Sequence, residues 1–225
     1  MIKMSTVDFN KVSDKQILEM KKAVQEDYLY IMNNRNERIL TDNFKNKYYS
    51  FYLKARFAKF SKGNELYNKY FNLLTEKLKN GATDCDLMGV IDKLKGDHEE
   101  IEFSVSSKLL HTANPAIPIY DSTVASFLNH LWHKGKTGGL KFTQKAKKDK
   151  VEEYWRNLIV WYDKVLKGDI KNEYINAEEW INWFNDKILE NENTDSITPI
   201  KKIDFIIFKL GDWIIAQVDK GRIIN

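Results

Sequence analysis

Apolar residues recur at intervals of three and four positions along almost the whole chain. One stripe runs through Ile17, Met20, Val24, Tyr28 and Ile31. This spacing places apolar side chains on one face of a helix. No run shows the alternation of apolar and polar residues that is typical of strands. The pattern therefore predicts an all-α protein of about nine or ten helices.

Capping and turn residues divide this pattern into segments. Prolines Pro115 and Pro118 predict a rigid connection, because proline fixes φ and restricts the residue before it. The 225 residues can form one all-α unit over residues 1–225 or two helical lobes, about 1–96 and 97–225. The predicted helix starts are Ser13, Asp84, Asp121 and Asn176 as N-caps, and Pro199 in a first turn.

The composition excludes several classes of protein. The single cysteine, Cys85, excludes a disulfide framework, a cysteine-based zinc site and a four-cysteine iron–sulfur cluster, and we expect no cofactor. Residues 1–10 lack the apolar run of a secretory signal, and charged residues interrupt the apolar stretch 203–218. We therefore expect a soluble, cytoplasmic protein with no membrane partner.

Positive charge is concentrated in one segment, residues 134–150. The whole chain has 36 basic and 32 acidic residues, a net charge of +4, whereas this segment alone carries seven lysines and one aspartate. Glycines beside the lysines allow backbone amides to approach phosphates, and lysines release counterions when they bind them. The segment predicts a DNA contact or, alternatively, a solvated loop. The lysines considered as contacts are Lys134, Lys136, Lys141, Lys145, Lys147 and Lys148.

The aromatic and histidine residues near this segment allow two further interpretations. Five of the six tryptophans fall in amphipathic patterns and are predicted to pack in the core, whereas Trp132 directly precedes the lysines and is a candidate for base stacking. His130 and His133 are three residues apart, but without a clear third ligand we predict no metal site.

Asp121 follows a turn that Pro118 stiffens and opens the next predicted helix. An N-cap role alone accounts for an aspartate at this position. A carboxylate held there can also stabilise a developing cation or activate water. Both roles stay open at the level of the residues.

The run Phe103–Val124, FSVSSKLLHTANPAIPIYDSTV, resembles the hairpin-to-catalytic-aspartate region of the helix-hairpin-helix DNA glycosylase superfamily. Ser106–Leu110 is similar to the helix that follows the hairpin, and Pro118–Ser122 is similar to the turn before the next helix. The match covers about residues 103–128, and Ile200–Gly211 is similar to the C-terminal helix of uncharacterised bacterial relatives. The resemblance implies an orthogonal helical bundle in a divergent bacterial relative and a role in DNA repair.

The resemblance also implies site residues. Asp121 would be the catalytic aspartate, stabilising an oxocarbenium-like sugar and helping to activate water once a base has flipped out of the stack. Backbone amides near the start of the preceding helix would bind phosphate. The implied DNA contacts on this helix are Ser104, Ser106, Ser107 and Lys108.

The chain departs from the family pattern at the hairpin. Phe103, Ser104 and Val105 replace the glycines that let a phosphate come close. Ser104 also occupies the place of the lysine nucleophile of bifunctional members, so the resemblance implies at most a monofunctional glycosylase without lyase activity. Three classes remain: a base-excision enzyme, a non-catalytic DNA-binding relative, and a non-catalytic helical interaction or structural protein that retains the fold.

Overall fold

The computed structural model describes residues 7–35, 40–53, 64–95, 103–142 and 150–223. Within these ranges the chain forms ten α-helical segments and no strand, which confirms the predicted all-α class. The helices are α1 (Asp14–Lys22), α2 (Leu29–Asn34), α3 (Asp42–Tyr48), α4 (Glu65–Asn80), α5 (Leu87–Lys95), α6 (Phe103–Ala113), α7 (Ser122–His133), α8 (Val151–Leu166), α9 (Ala177–Lys187) and α10 (Pro199–Ile223). None of the helices described is both long and apolar enough to cross a membrane.

Shorter helical turns accompany these segments. A π-helical segment, Ala23–Tyr28, lies between α1 and α2, and a second one, Tyr49–Leu53, follows α3. Three short 3-10 helices lie elsewhere within the described ranges. They are Phe9–Lys11, Asp84–Asp86 and Thr194–Ser196.

Side chains satisfy the free amides at several helix starts, including the predicted caps Ser13 and Asp121. Asn176 lies at its predicted N-cap position, but its side chain makes no capping bond. Ser13 Oγ accepts from Gln16 N at 3.3 Å, and Asn64 Oδ1 accepts from Tyr67 N at 2.8 Å. The predicted cap Asp84 is wrong, because Thr83 is the N-cap of the short helix before α5 and forms a capping box with Asp86.

The chain divides into two compact units, Lys22–Tyr120 and the combination of Met1–Lys21 with Asp121–Asn225. We call these the middle unit and the terminal unit. They differ from the lobes 1–96 and 97–225 because the N-terminal segment packs with the C-terminal half. Phe9 stacks on Trp183 with ring centroids 4.8 Å apart and meets Trp180 edge-on at 6.1 Å.

In the middle unit, α6 packs against α4 and α5. A buried group of hydroxyls lies behind α6, where Tyr48 Oη is 2.7 Å from Tyr70 Oη and 3.1 Å from Thr112 Oγ1. Burial raises the pKa of both tyrosines, so these phenols remain neutral and serve as hydrogen-bonding groups within the core.

In the terminal unit, α10 packs against α7, α8 and α9. Trp155, Trp161 and Trp180 are buried, which confirms their predicted place in the core, whereas Trp183 and Trp213, predicted to lie there too, are only half-buried. Gly211 of α10 lies close to Phe127 of α7, and a Cβ at this glycine would stand 3.3 Å from the phenyl ring. This packing fixes α7, the helix that carries both candidate sites, against the longest helix of the unit.

Candidate functional site

Two side chains of α6, which are one helical turn apart, form hydrogen bonds to the chain segment that leads to Asp121. Ser107 Oγ accepts from Tyr120 N at 3.1 Å and donates to Ser104 O at 3.0 Å. His111 Nδ1 lies 2.6 Å from Ile117 O, and its Nε2 lies 3.2 Å from Tyr28 Oη. These bonds satisfy buried backbone groups on either side of Pro118, so the end of the turn has a fixed conformation.

Asp121 caps α7 as the sequence predicts. Its Oδ1 accepts from the backbone amides of Thr123 and Val124, both at 2.9 Å, and the residue is 7% exposed. A carboxylate in this position interacts favourably with the positive end of the helix dipole. The orientation of the Asp121 side chain is therefore determined by two backbone bonds.

A buried ionic group lies near Asp121 in the terminal unit, and the sequence did not predict it. Lys201 Nζ donates to Asp204 Oδ2 at 2.6 Å, and Tyr162 Oη donates to Asp204 Oδ1 at 3.4 Å. Both Lys201 and Asp204 are nearly inaccessible to solvent. Lys201 Nζ also lies 4.5 Å from the centre of the Phe205 ring. We call Lys201, Asp204 and Tyr162 the buried ion pair cluster.

The charge of Asp121 acts on this cluster. Burial raises the pKa of Asp204, Lys201 opposes that rise, and the negative charge of Asp121 adds to it. Burial and the charges of Asp204 and Asp121 raise the pKa of Tyr162. This arrangement places Asp204, a buried carboxyl group whose pKa is raised, near Asp121, a second carboxyl group that caps a helix. Carboxyl groups are among the side chains that act in general acid–base catalysis.

The predicted DNA contacts on α6 lie in the core of the structure. Ser106 and Ser107 have no exposed surface, and Lys108 is 8% exposed with its Nζ donating to Tyr52 O at 3.3 Å. Ser104 is half-buried. Phe103, Ser104 and Val105 form the first turn of α6, and residues 96–102 before them lie outside the described ranges. A phosphate contact at this helix would therefore use backbone amides and not the side chains of Ser106, Ser107 and Lys108.

The first part of the lysine segment is a fixed loop after α7. Gly135 N donates to Trp132 O at 2.9 Å and Lys136 N donates to Leu131 O at 2.8 Å, which closes the helix. Two asparagine side chains from later in the sequence also form hydrogen bonds to the backbone of this loop. Asn172 Nδ2 donates to Lys136 O at 3.2 Å, and Asn157 Nδ2 donates to Lys141 O at 2.8 Å.

The described lysines of this loop differ in their partners. Lys134 Nζ lies 3.5 Å from Asp219 Oδ1, and Lys136 Nζ lies 3.2 Å from the buried Glu173 Oε1. Lys141 is exposed, and its Nζ lies 5.4 Å from the centre of the Trp132 ring. The other predicted contacts, Lys145, Lys147 and Lys148, lie outside the described residues.

Trp132 is half-exposed at the end of α7, next to the exposed His133, whose ring centre is 4.6 Å away. We call Trp132, His133, Lys134, Lys136 and Lys141 the α7 loop surface.

His130 Nε2 lies 3.4 Å from Asp219 Oδ2. Within the described part of the chain, no group of three or more residues able to bind a metal ion occurs.

Asp121 and the α7 loop surface are two separate places on the molecule. They lie at opposite ends of α7, whose 12 residues span ~18 Å. A surface groove on α4 and α5 in the middle unit, lined by Glu65, Asn72 and Lys93 among others, contains none of the predicted site residues.

No protein-family model, curated protein or solved structure matches this chain.

Proposed function

We propose that this chain binds DNA through the α7 loop surface and the lysines that follow it. The observation that carries this proposal is the fixed loop, which holds the exposed Lys141 beside the half-exposed Trp132. Two asparagine side chains bond the backbone of this loop, so less ordering remains to be done when a ligand binds. The positive charge of residues 134–150 favours a polyanion.

The number of lysines that contact phosphates determines the salt dependence of this binding. Among the seven lysines of the segment, Lys134, Lys136 and Lys150 face carboxylates within 3.5 Å. We propose that the other four, Lys141, Lys145, Lys147 and Lys148, contact phosphates. Each contact contributes about −0.9 to the slope of log affinity against log salt, so we expect a slope of about −4.

A triple variant tests this assignment. Changing Lys145, Lys147 and Lys148 to glutamine removes three of the four expected contacts, and the slope for a duplex of roughly 25 base pairs should flatten to about −1. The control is a second triple variant, K15Q/K22Q/K79Q, which removes the same charge from exposed positions on α1 and α4. An equal flattening in both variants would show that net charge and not this segment determines binding.

A second candidate function is base excision at Asp121, which the resemblance implies. The fixed Asp121 carboxylate near Asp204, a carboxyl group with a raised pKa, favours this function. Asp121→Asn keeps an oxygen that can cap α7 but removes the charge. The variant should lose excision of damaged bases from duplex substrates and keep duplex affinity, while excision at the normal rate would remove Asp121 from the mechanism.

The same experiments separate the remaining classes. Salt-dependent binding without excision would identify a non-catalytic DNA-binding protein. The absence of binding at low salt would favour a helical interaction protein, which would use exposed apolar surface. Among the described residues, the large apolar side chains that are most exposed are Leu18, Leu166 and Phe208, each on a different helix.

A further inference from the structure

We infer that the α7 loop surface binds an unpaired nucleobase of single-stranded DNA, with the base stacked on Trp132 and the neighbouring phosphate at Lys141. This inference rests on the proposed function, because it specifies the form of DNA that the same surface prefers. It concerns the end of α7 remote from Asp121 and needs no catalytic step.

The surroundings of Trp132 distinguish it from the tryptophans of the core. Trp155, Trp161 and Trp180 are buried, and the half-exposed Trp183 and Trp213 both lie against the ring of Phe9, with centroid distances of 4.8 and 6.3 Å. Trp132 is half-exposed, and its ring lies beside the ring of His133 and below the ammonium group of Lys141. A half-exposed indole with a lysine over its ring is complementary to a nucleic acid, which offers flat bases and negative phosphates together.

The contact between Lys141 and Trp132 does not prevent a base from stacking there. The Lys141 carbonyl is fixed by Asn157, whereas the Lys141 side chain is exposed and long. At an exposed site a lysine over an aromatic ring is held more weakly than a stacked base. The Lys141 ammonium group can therefore move away from the ring when a base stacks there. It can then pair with the neighbouring phosphate of the same strand.

Two exposed glycines lie in the loop beside the ring. Gly135 and Gly139 have φ values of +68° and +83°, and a Cβ at either position would meet no atom within 4 Å. Both glycines are exposed, so the backbone next to Trp132 carries little side-chain bulk. Bases in a duplex are stacked inside the helix, and a single aromatic ring on a protein surface reaches a base face only where the base is unpaired.

The test compares Trp132→Ala, Trp132→Phe and Lys141→Gln on a fluorescent oligothymidine of about 12 nucleotides and on a duplex of similar length. We expect Trp132→Ala to weaken oligothymidine binding by about tenfold or more and duplex binding by less than twofold. Trp132→Phe should keep most of the affinity. Lys141→Gln should reduce the slope of the salt dependence by about one.

Two controls make the result specific. Phe208→Ala removes another exposed ring with a lysine over it, since Lys209 Nζ lies 5.6 Å from the centre of the Phe208 ring, and should leave both affinities unchanged. An oligomer of the same length in which abasic sites replace all the bases keeps the phosphates and removes the stacking partners. The unmodified protein should bind it more weakly than oligothymidine, and Trp132→Ala should not distinguish the two.

Equal weakening of oligothymidine and duplex binding by Trp132→Ala, or no weakening of either, would overturn the inference. If the unmodified protein binds the duplex with the expected salt dependence in that experiment, DNA binding stands and only the stacking site fails. If it binds neither ligand at low salt, the proposed function fails as well. Circular dichroism and thermal melting of each variant establish that the fold is retained.

Discussion

Lys201→Met is a substitution for which the structure predicts a large loss of stability. The change removes the ammonium group that lies 2.6 Å from Asp204 Oδ2 and keeps a side chain of similar length. Asp204 then remains buried with Tyr162 as a hydrogen-bond donor but without a cation. Leaving one member of a buried ion pair without its partner costs about 3–5 kcal/mol. For a chain of this size each kcal/mol lowers the melting temperature by about 2–4 °C, so we expect a decrease of roughly 6–20 °C.

The pH dependence identifies Asp204 as the source of this loss. Burial raises its pKa in the folded protein above the value of 3.8 for an ordinary aspartate. The folded state therefore binds this proton more tightly than the unfolded state. The stability that the proton provides is complete below pH 3.8 and is lost as the pH rises through the raised pKa. Without Lys201 the pKa rises further, so the difference between the variant and the unmodified protein should be smaller at about pH 5 than at about pH 8.

Urea unfolding followed by circular dichroism measures both effects. The double variant Lys201→Met/Asp204→Asn contains no buried charge at this place and should recover most of the lost stability, because replacing both members of a buried pair is much less destabilising than removing one. A loss below about 1 kcal/mol in Lys201→Met, or a loss of equal size at both pH values, would refute the account of the buried ion pair cluster.

Two smaller predictions concern Asp121 and the turn before it. Asp121→Ala should lower the free energy of unfolding by about 1 kcal/mol because α7 loses its cap, whereas Asp121→Asn should change it by only a few tenths; equal losses in urea unfolding would contradict the capping role. Ser107→Ala removes the hydroxyl that accepts from the buried amide of Tyr120 and should lower the free energy of unfolding by about 1–3 kcal/mol. The control Ser104→Ala should be nearly neutral, because Ser107 bonds to the Ser104 carbonyl and not to its hydroxyl.

The helices could be predicted because their signals are local. Apolar spacing predicted the helical class, and Pro199 in a first turn predicted the start of α10. Asp121 as the cap of α7 is equally local, since the bonds are to amides two and three residues away. The structure confirms these predictions because neighbouring residues are sufficient to determine them.

The buried ion pair cluster could not be predicted, because it depends on which helix faces which. Lys201 and Asp204 are three residues apart in the sequence and have the spacing of an ordinary exposed pair on a helix surface. Their burial follows from the packing of α10 against other helices of the terminal unit, and α8 contributes Tyr162. The available signal was a pair of charged residues, Lys201 and Asp204, at the start of the apolar stretch 203–218.

The side chains of α6 were predicted as DNA contacts for a similar reason. Serine and lysine are usually exposed, and the resemblance placed Ser106, Ser107 and Lys108 near DNA. In the structure nearly the whole circumference of α6 is buried, because the helix packs against α4 and α5 and supports the turn before Asp121. Serine side chains are small enough to be buried in this close packing, next to the apolar residues of the same helix.

The most direct test of the central claim is the affinity for a duplex of roughly 25 base pairs, measured by fluorescence anisotropy between about 50 and 200 mM salt. The account predicts binding at low salt with a slope of about −4 for the unmodified protein and about −1 for K145Q/K147Q/K148Q, with the control triple variant unchanged. No binding by the unmodified protein at about 50 mM salt would contradict the claim that this chain is a DNA-binding protein.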